Sequence, residues 1–214
     1  MAEEARLKTW ETLFRYALRA LDSVEGDVFR VENWSFGGGT VLMRRFRHRY
    51  SKDVDLFVPD PQYLGYLDPE RNEVVEGLTS RFVKAETYLK LVFDEGEVDF
   101  IAASPVTDNP RTLESVLDRQ VQVDTSIEVV AKKTRYRATG FTARDMFDLA
   151  LVAEKQPAEV ERVRPALRQR RTEILERLDT GDALLRTTFA ALDVLDYRPT
   201  YDHCLRIVRE VLET

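Results

Sequence analysis

Leu7, Trp10, Phe14, Ala17, Leu18 and Leu21 recur at three- and four-residue intervals among polar neighbours, which predicts an amphipathic first helix with one face on the core. The period breaks at Gly37-Gly38-Gly39, and Thr40 to Arg49 then resumes a helical pattern. This order predicts a glycine turn that opens directly into a helix N-terminus. Val54 to Val58 is an apolar run with Asp55 set inside it, closed by Pro59-Asp60-Pro61, as expected of a short buried strand with a hard stop. Leu89 to Phe93 and Val98 to Ala102 flank Asp94-Glu95-Gly96-Glu97, where glycine can supply the positive φ of a hairpin turn. The interval from Pro61 to Lys84 is polar and poorly periodic and reads as helix and loop.

From Asn109 onwards helix signals dominate. Thr125-Ser126-Ile127-Glu128 and Thr142-Ala143-Arg144-Asp145 both have the Ser/Thr-x-x-acid form of a capped helix start. Pro157 to Leu178 is charged with spaced Val, Leu and Ile and predicts one helix, and Tyr201 to Leu212 predicts another after Pro199-Thr200. No repeat and no Gly/Ser linker divides the chain. The expected fold class is α+β (α/β): a small mixed sheet flanked by helices over residues 1–120, followed by a helical C-terminal part over 121–214 that contributes to the site.

Composition narrows the classes. With 43% apolar and 33% charged residues the chain can bury a sizeable core, so disorder is excluded as the default. Cys204 is the only cysteine, which excludes an intramolecular disulfide and a thiolate zinc site and fits a reducing, cytoplasmic setting. The charged segment Met1 to Lys8 lacks the apolar stretch of a secretory signal, and no apolar run would cross a bilayer, so neither export nor a membrane partner is expected. A net charge of −6 argues against a surface that attracts nucleic acid as a whole. Any such contact falls to local basic runs, Arg44 to Arg49 and Lys132 to Arg137, the latter followed by Arg168 to Arg171. His48 and His203 read as isolated, and Cys204 as a packing residue.

Asp53 and Asp55 are two apart, so on a strand both project from one face while Val54 and Leu56 turn to the core, a spacing that suits a hard divalent cation. Gly38-Gly39 lets the backbone approach a phosphate without a Cβ clash, and Thr40 adds a hydroxyl. Ser51, at the entry to the strand, can bond the loop backbone or a phosphate oxygen. Asp99, alternating with Val98 and Phe100, is the candidate third carboxylate, able to hold a second metal and to take a proton from an attacking hydroxyl. Asp94 and Glu97 read as turn residues, and of Arg44, Arg45, Arg47 and Arg49 only the subset on the glycine side can face a ligand.

Gly38-Gly39-Thr40-Val41-Leu42 followed by Arg49-Tyr50-Ser51-Lys52-Asp53-Val54-Asp55-Leu56-Phe57 resembles the signature of polymerase-β-type nucleotidyltransferases, and most closely that of the AbiEii/AbiGii toxin branch, with Val41 in place of the usual alanine. Val130-Ala131-Lys132-Lys133 and Arg144-Asp145-Met146-Phe147-Asp148-Leu149 resemble the branch's lysine helix and its Arg-Asp-x-x-Asp-Leu motif. The resemblance covers roughly residues 30 to 150. It implies a polymerase-β-like core, Mg2+ or Mn2+ on Asp53, Asp55 and Asp99, and a nucleoside triphosphate on Gly38, Gly39, Thr40 and Ser51. It also implies Lys133 as a phosphate contact, with Lys132 as its competitor, and Asp145 as support, although Asp145 equally reads as the partner of Thr142 in a capping box. The implied acceptor is RNA, such as a tRNA 3′ end, and the implied partner a separately encoded antitoxin. Transfer to an antibiotic or a protein side chain, and a nucleotide-binding module without turnover, are the alternatives.

Overall fold

The computed structural model describes residues 2–24 and 31–213. They fall into two compact units: Met1–Val41, Ser51–Ser104 and Arg111–Val123 form the first, and Leu42–Tyr50, Pro105–Pro110 and Asp124–Thr214 the second.

The first unit holds a mixed sheet. In chain order its elements are α1 (Ala2–Leu7), α2 (Thr9–Asp22), β1 (Ser35–Gly37), α3 (Gly38–Phe46, divided between the units after Val41), β2 (Val54–Val58), α4 (Gln62–Tyr66), α5 (Glu73–Glu76), β3 (Phe82–Ala85), β4 (Tyr88–Val92), β5 (Glu97–Ala102), β6 (Arg111–Val116) and β7 (Arg119–Asp124). The described strands lie in the order β3-β4-β5-β2-β1-β7-β6. β2 runs parallel to β5 and antiparallel to β1, while β7 runs parallel to β1. The expected apolar stripe of the first helix docks α2 on β2 and β5, burying Leu13, Phe14 and Ala17 completely. Phe14 and Phe36 meet with ring centroids 4.8 Å apart, and burying each large side chain of this layer contributes about 1.5–3 kcal/mol. Val54, Leu56, Val98 and Phe100 are fully buried from the sheet, so Asp55 and Asp99 stand on the opposite side of their strands.

Three sequence expectations change here. Helix was expected from Asn109 onwards, yet β6 and β7 form a hairpin. Val121 and Val123 are buried while Gln120 and Gln122 are exposed, a period-two pattern that the longer helical signals downstream mask. β3 arises in the weakly patterned interval before Lys84 because it is an exposed edge strand with little to bury. α3 ends at Phe46 rather than Arg49: Arg47 takes φ +48, and the following residues pair with another segment, Leu195 N–H bonding the His48 carbonyl and Tyr50 N–H the Asp193 carbonyl.

The second unit is helical: α6 (Ser126–Tyr136), a 3-10 turn (Ala138–Gly140), α7 (Ala143–Lys155), α8 (Pro157–Leu167), α9 (Arg171–Thr180), α10 (Asp182–Ala190) and α11 (Tyr201–Glu213). Thr125 caps α6 through Glu128 N–H, and Thr142 and Asp145 close the expected capping box on α7. α6, α7, α8 and α11 pack together, and α11 buries Cys204, Ile207, Val208, Val211 and Leu212. The single helix expected over 157–178 is two. The stripe Val160, Leu167, Ile174 and Leu178 keeps helical spacing across the turn at 168–170, so the apolar pattern carries no sign of the break. α10, largely exposed, has too weak a stripe to be predicted. Among the described residues no helix is long and apolar enough to cross a membrane.

Candidate active site

β1 passes into α3 without a linker, and the junction is the glycine turn. Gly38 sits at φ +73, and a Cβ there would fall 1.7 Å from Asp55 Oδ2. Gly37 is the register partner of Asp55 across the β1–β2 pair, so the turn is held against that carboxylate by the strand ladder. Only glycine meets both demands, the left-handed backbone and the close approach. We expect Gly38→Ala to cost about 1–3 kcal/mol of stability in urea denaturation, from backbone strain, and to lower turnover more than tenfold by displacing Asp55. A variant with wild-type stability and turnover would refute this role for the turn.

Thr40, wholly buried, donates its hydroxyl to the Asp53 carbonyl at 2.6 Å and lies 3.1 Å from the Ser51 hydroxyl. The expected phosphate-facing hydroxyl is thus committed to tying the first turn of α3 to the entry of β2. Asp53 Oδ1 accepts Glu97 N–H at 3.1 Å, which fastens the same entry to the start of β5.

Asp55 and Asp99 are register partners on the parallel strands β2 and β5, and Lys90 is the partner of Asp99 on β4. Lys90 Nζ bonds Glu97 and lies 3.7 Å from Asp99 Oδ2. Burial, joined by the Asp55 charge, pushes the Asp99 carboxyl up to about 7, with Lys90 opposing, and its Oδ1 is buried with no hydrogen-bond partner. A carboxylate pair that repels itself beside an unsatisfied oxygen is the donor set a hard divalent cation stabilises. The residues present fit such an ion through Asp55 and Asp99. Among the described residues no three carboxylate, imidazole or thiolate groups already surround one cation position, and one oxygen of Asp53 is taken by the Glu97 amide. Lys90 escaped the sequence reading, since only cross-strand register sets it against Asp99. Glu97, read as a turn residue, opens β5, whereas Asp94 does sit in the turn, paired with Arg81.

The other expected site residues lie in the helical unit. Lys133 Nζ contacts Asp145 Oδ1 at 2.6 Å and Asp148 Oδ2 at 2.9 Å. Asp145 also accepts Thr142 N–H and hydroxyl, at 3.1 and 2.7 Å, so its capping role and its lysine contact coexist. Asp148 is fully buried and accepts Arg49 Nε at 2.8 Å, Arg49 Nη2 at 2.7 Å and His48 Nε2 at 2.8 Å. Burial alone would raise the Asp148 carboxyl; Arg49, Lys133 and His48 together hold it well below the usual range. Lys132 departs from its neighbour, bonding Asp124 at 2.7 Å, so the two lysines serve different carboxylates.

The basic runs are solvated only in part: Arg47, Arg135 and Arg137 are exposed, and the other basic residues of the first two runs are half-buried or buried. Lys132 and Lys133 are buried, Arg45 bonds the Asp124 carbonyl at 2.7 Å, Arg47 pairs with Asp196, and Arg49 holds Asp148. Nor are the histidines isolated: His48 is wholly buried on Asp148, and His203 contacts Glu154 at 2.7 Å. Cys204 packs as expected, its thiol pushed up to about 12 by burial. Asp148, His48 and Arg49 were missed as a group, and the available signal was the Asp145/Asp148 spacing, which puts both acids on one face of α7.

Burial lowers the His48 pKa from 6.5 despite the pull of Asp148, while Asp145 and Asp148 are lowered from 3.8. In each case the unfolded chain binds the proton more readily, so the stabilisation is present above the unfolded value and lost as pH falls. Asp99, raised to about 7, acts in the opposite sense between 7 and 3.8, so the His48 contribution is read as a difference: the thermal midpoint of the wild type relative to that of His48→Gln is expected to fall below pH 6.5, and both proteins should lose stability below 3.8. Circular dichroism melts of both proteins across that range test it, and a midpoint difference that stays level between 6.5 and 3.8 would contradict the His48 assignment.

A family profile described as "Nucleotidyl transferase AbiEii toxin, Type IV TA system" matches residues 19–210. The search of curated proteins returns no match. Among solved structures, MenT4, a nucleotidyltransferase toxin from Mycobacterium tuberculosis H37Rv, aligns with a TM-score of 0.54 and 18% identity, covering 100% of this chain and 85% of that one. The antibiotic-resistance factor ANT(2″)-Ia aligns at 0.50 and 14%, covering 81% of this chain and 97% of that one. At these identities the likeness speaks for a shared nucleotidyltransferase fold.

Proposed function

Since the chain belongs to the AbiEii family of nucleotidyltransferase toxins, and is thereby a nucleotidyltransferase, we propose that it moves a nucleotidyl group from a nucleoside triphosphate to a hydroxyl of RNA, such as a tRNA 3′ end, with Mg2+ or Mn2+ as cofactor. One observation carries the reading: the glycine turn closes on Asp55 at the point where Asp55 stands beside Asp99. Phosphate-binding backbone and metal-binding carboxylates are thus contiguous in one sheet. Gly38 and Gly39 hold the triphosphate through the start of α3, and Thr40 and Ser51 keep that turn on the entry to β2. Asp55 and Asp99 would hold the divalent ion, with Asp53 at their flank, and such an ion would supply charge neutralisation for the triphosphate and the leaving pyrophosphate. Asp99 Oδ1, buried without a partner, accepts the proton of the attacking hydroxyl. Within the helical unit Lys133 is oriented by Asp145 and Asp148, and the resemblance makes it that unit's candidate phosphate contact. A type IV system further implies an antitoxin encoded separately.

Incubating the full chain with each labelled nucleoside triphosphate, Mg2+ and separate pools of tRNA, bulk protein and aminoglycosides tests the proposal. Label on tRNA is the expected outcome. Label confined to protein or to the aminoglycosides would overturn the RNA acceptor while keeping the chemistry, and no label in any pool would overturn both.

A further inference from the structure

Within the helical unit, residues 49–50, the start of α7 and the helices α9 and α10 line a cavity of about 460 Å³. Tyr50, Leu192 and Leu184 are among its lining residues, the last 56% exposed although it is a leucine. Arg144 and Arg177 also line it, and Asp193 is the acid of the lining. Arg47, Arg81, Arg119, Arg186 and Arg209 are each paired with a carboxylate. Among the described residues, the guanidinium groups of Arg144 and Arg177 make no ion pair and no hydrogen bond.

An open cavity of this volume suits a ligand of one nucleotide's size. Two uncommitted guanidinium groups bind phosphate in a bidentate manner, and an aromatic ring with exposed leucine offers a face for a planar base. We propose that this cavity binds one unpaired nucleotide, its base against Tyr50 and Leu184 and its phosphate on Arg144 and Arg177. The choice of ligand rests on the nucleotidyl-transfer reading. Arg49, which lines the cavity, grips Asp148 with Nε and Nη2, and Asp148 in turn holds Lys133, so the occupied cavity adjoins the lysine cluster. The nucleotide comes from one of two sources, the 3′ end of single-stranded RNA or a free nucleoside triphosphate.

Fluorescence anisotropy on the full chain distinguishes them, using a labelled single-stranded RNA tetranucleotide with a free 3′-hydroxyl and, separately, labelled nucleoside triphosphates in EDTA. EDTA removes metal-dependent binding at Asp55 and Asp99. The double variant Arg144→Ala/Arg177→Ala and the single variant Leu184→Glu are the probes; alanine is a good helix former and Leu184 is exposed, so both should fold with wild-type thermal midpoints. Affinity is expected to fall at least about tenfold in both variants. Loss for the tetranucleotide assigns the cavity to the acceptor end, loss for the triphosphates to the donor, and loss for both to a nucleotide from either source. Unchanged affinity for both, or a wild type that binds neither, overturns the proposal. If the variants lose binding while no acceptor pool is ever labelled by the wild type, the cavity stands and the transfer reading falls. If the wild type transfers nucleotides and the variants bind normally, the reverse holds.

Discussion

Asp55→Ala is expected to lower nucleotide transfer by about 10³-fold or more, a loss of about 4 kcal/mol of transition-state stabilisation, while the thermal midpoint stays within a few degrees of the wild type. The two effects separate because of where Asp55 stands. It is partly buried on the face of β2 opposite the core, whose packing belongs to Val54 and Leu56. Its carboxylate raises the Asp99 pKa, so its removal relieves a like-charge repulsion even as it deletes a ligand. Asp99→Ala should also lower transfer strongly, and combining the two should cost little more than either alone, because residues that hold one ion act as a unit. Single-turnover assays at saturating Mg2+ with parallel melting curves provide the measurement. Transfer within tenfold of wild type in the Asp55 variant would remove this carboxylate from the reaction.

Asp148→Ala should have the largest effect on stability, about 3–5 kcal/mol. Three donors converge on this fully buried carboxylate, and deleting it leaves the Arg49 guanidinium buried without its bidentate partner and His48 without the acceptor of its Nε2–H. Lys133 keeps Asp145 and so loses only one of two partners. Asp148→Asn keeps the shape and part of the hydrogen bonding but not the charge, and should fall between alanine and wild type. Urea denaturation of the three proteins measures the series. A loss below about 1 kcal/mol for alanine would show that water or repacking compensates the buried cations, against the reading of this cluster as the electrostatic centre of the helical unit.

Several elements that carry candidate residues were legible along the chain, for local reasons. The apolar run ending at Pro59 marks β2 from Val54 to Val58, the glycine before Glu97 marks the β4–β5 hairpin, and Thr142 with Asp145 marks the start of α7. Each signal involves residues a few positions apart, where alternation, capping and turn chemistry act. The same locality misled where patterns overlapped. Gln120 to Val123 alternates as a strand should, but the helical signals around it carried more weight. Over 160–178 an unbroken stripe spans a turn, because packing sets where that helix stops and the spacing of apolar residues does not.

The motif proposed to carry the chemistry, a glycine turn followed by paired aspartates, was determined by the sequence alone, because backbone freedom at glycine and the two-residue period of a strand are intrinsic to those residues. Which groups meet was decided only by the tertiary structure. Gly38 lies against Asp55 because β1 and β2 pair in one register, and Asp99 joins Asp55, with Lys90 beside it, because β5 and β4 pair in another. Asp148 collects His48, Arg49 and Lys133 from sequence distances that no spacing rule connects, since burying a carboxylate requires whichever cations the helix packing brings within hydrogen-bond reach.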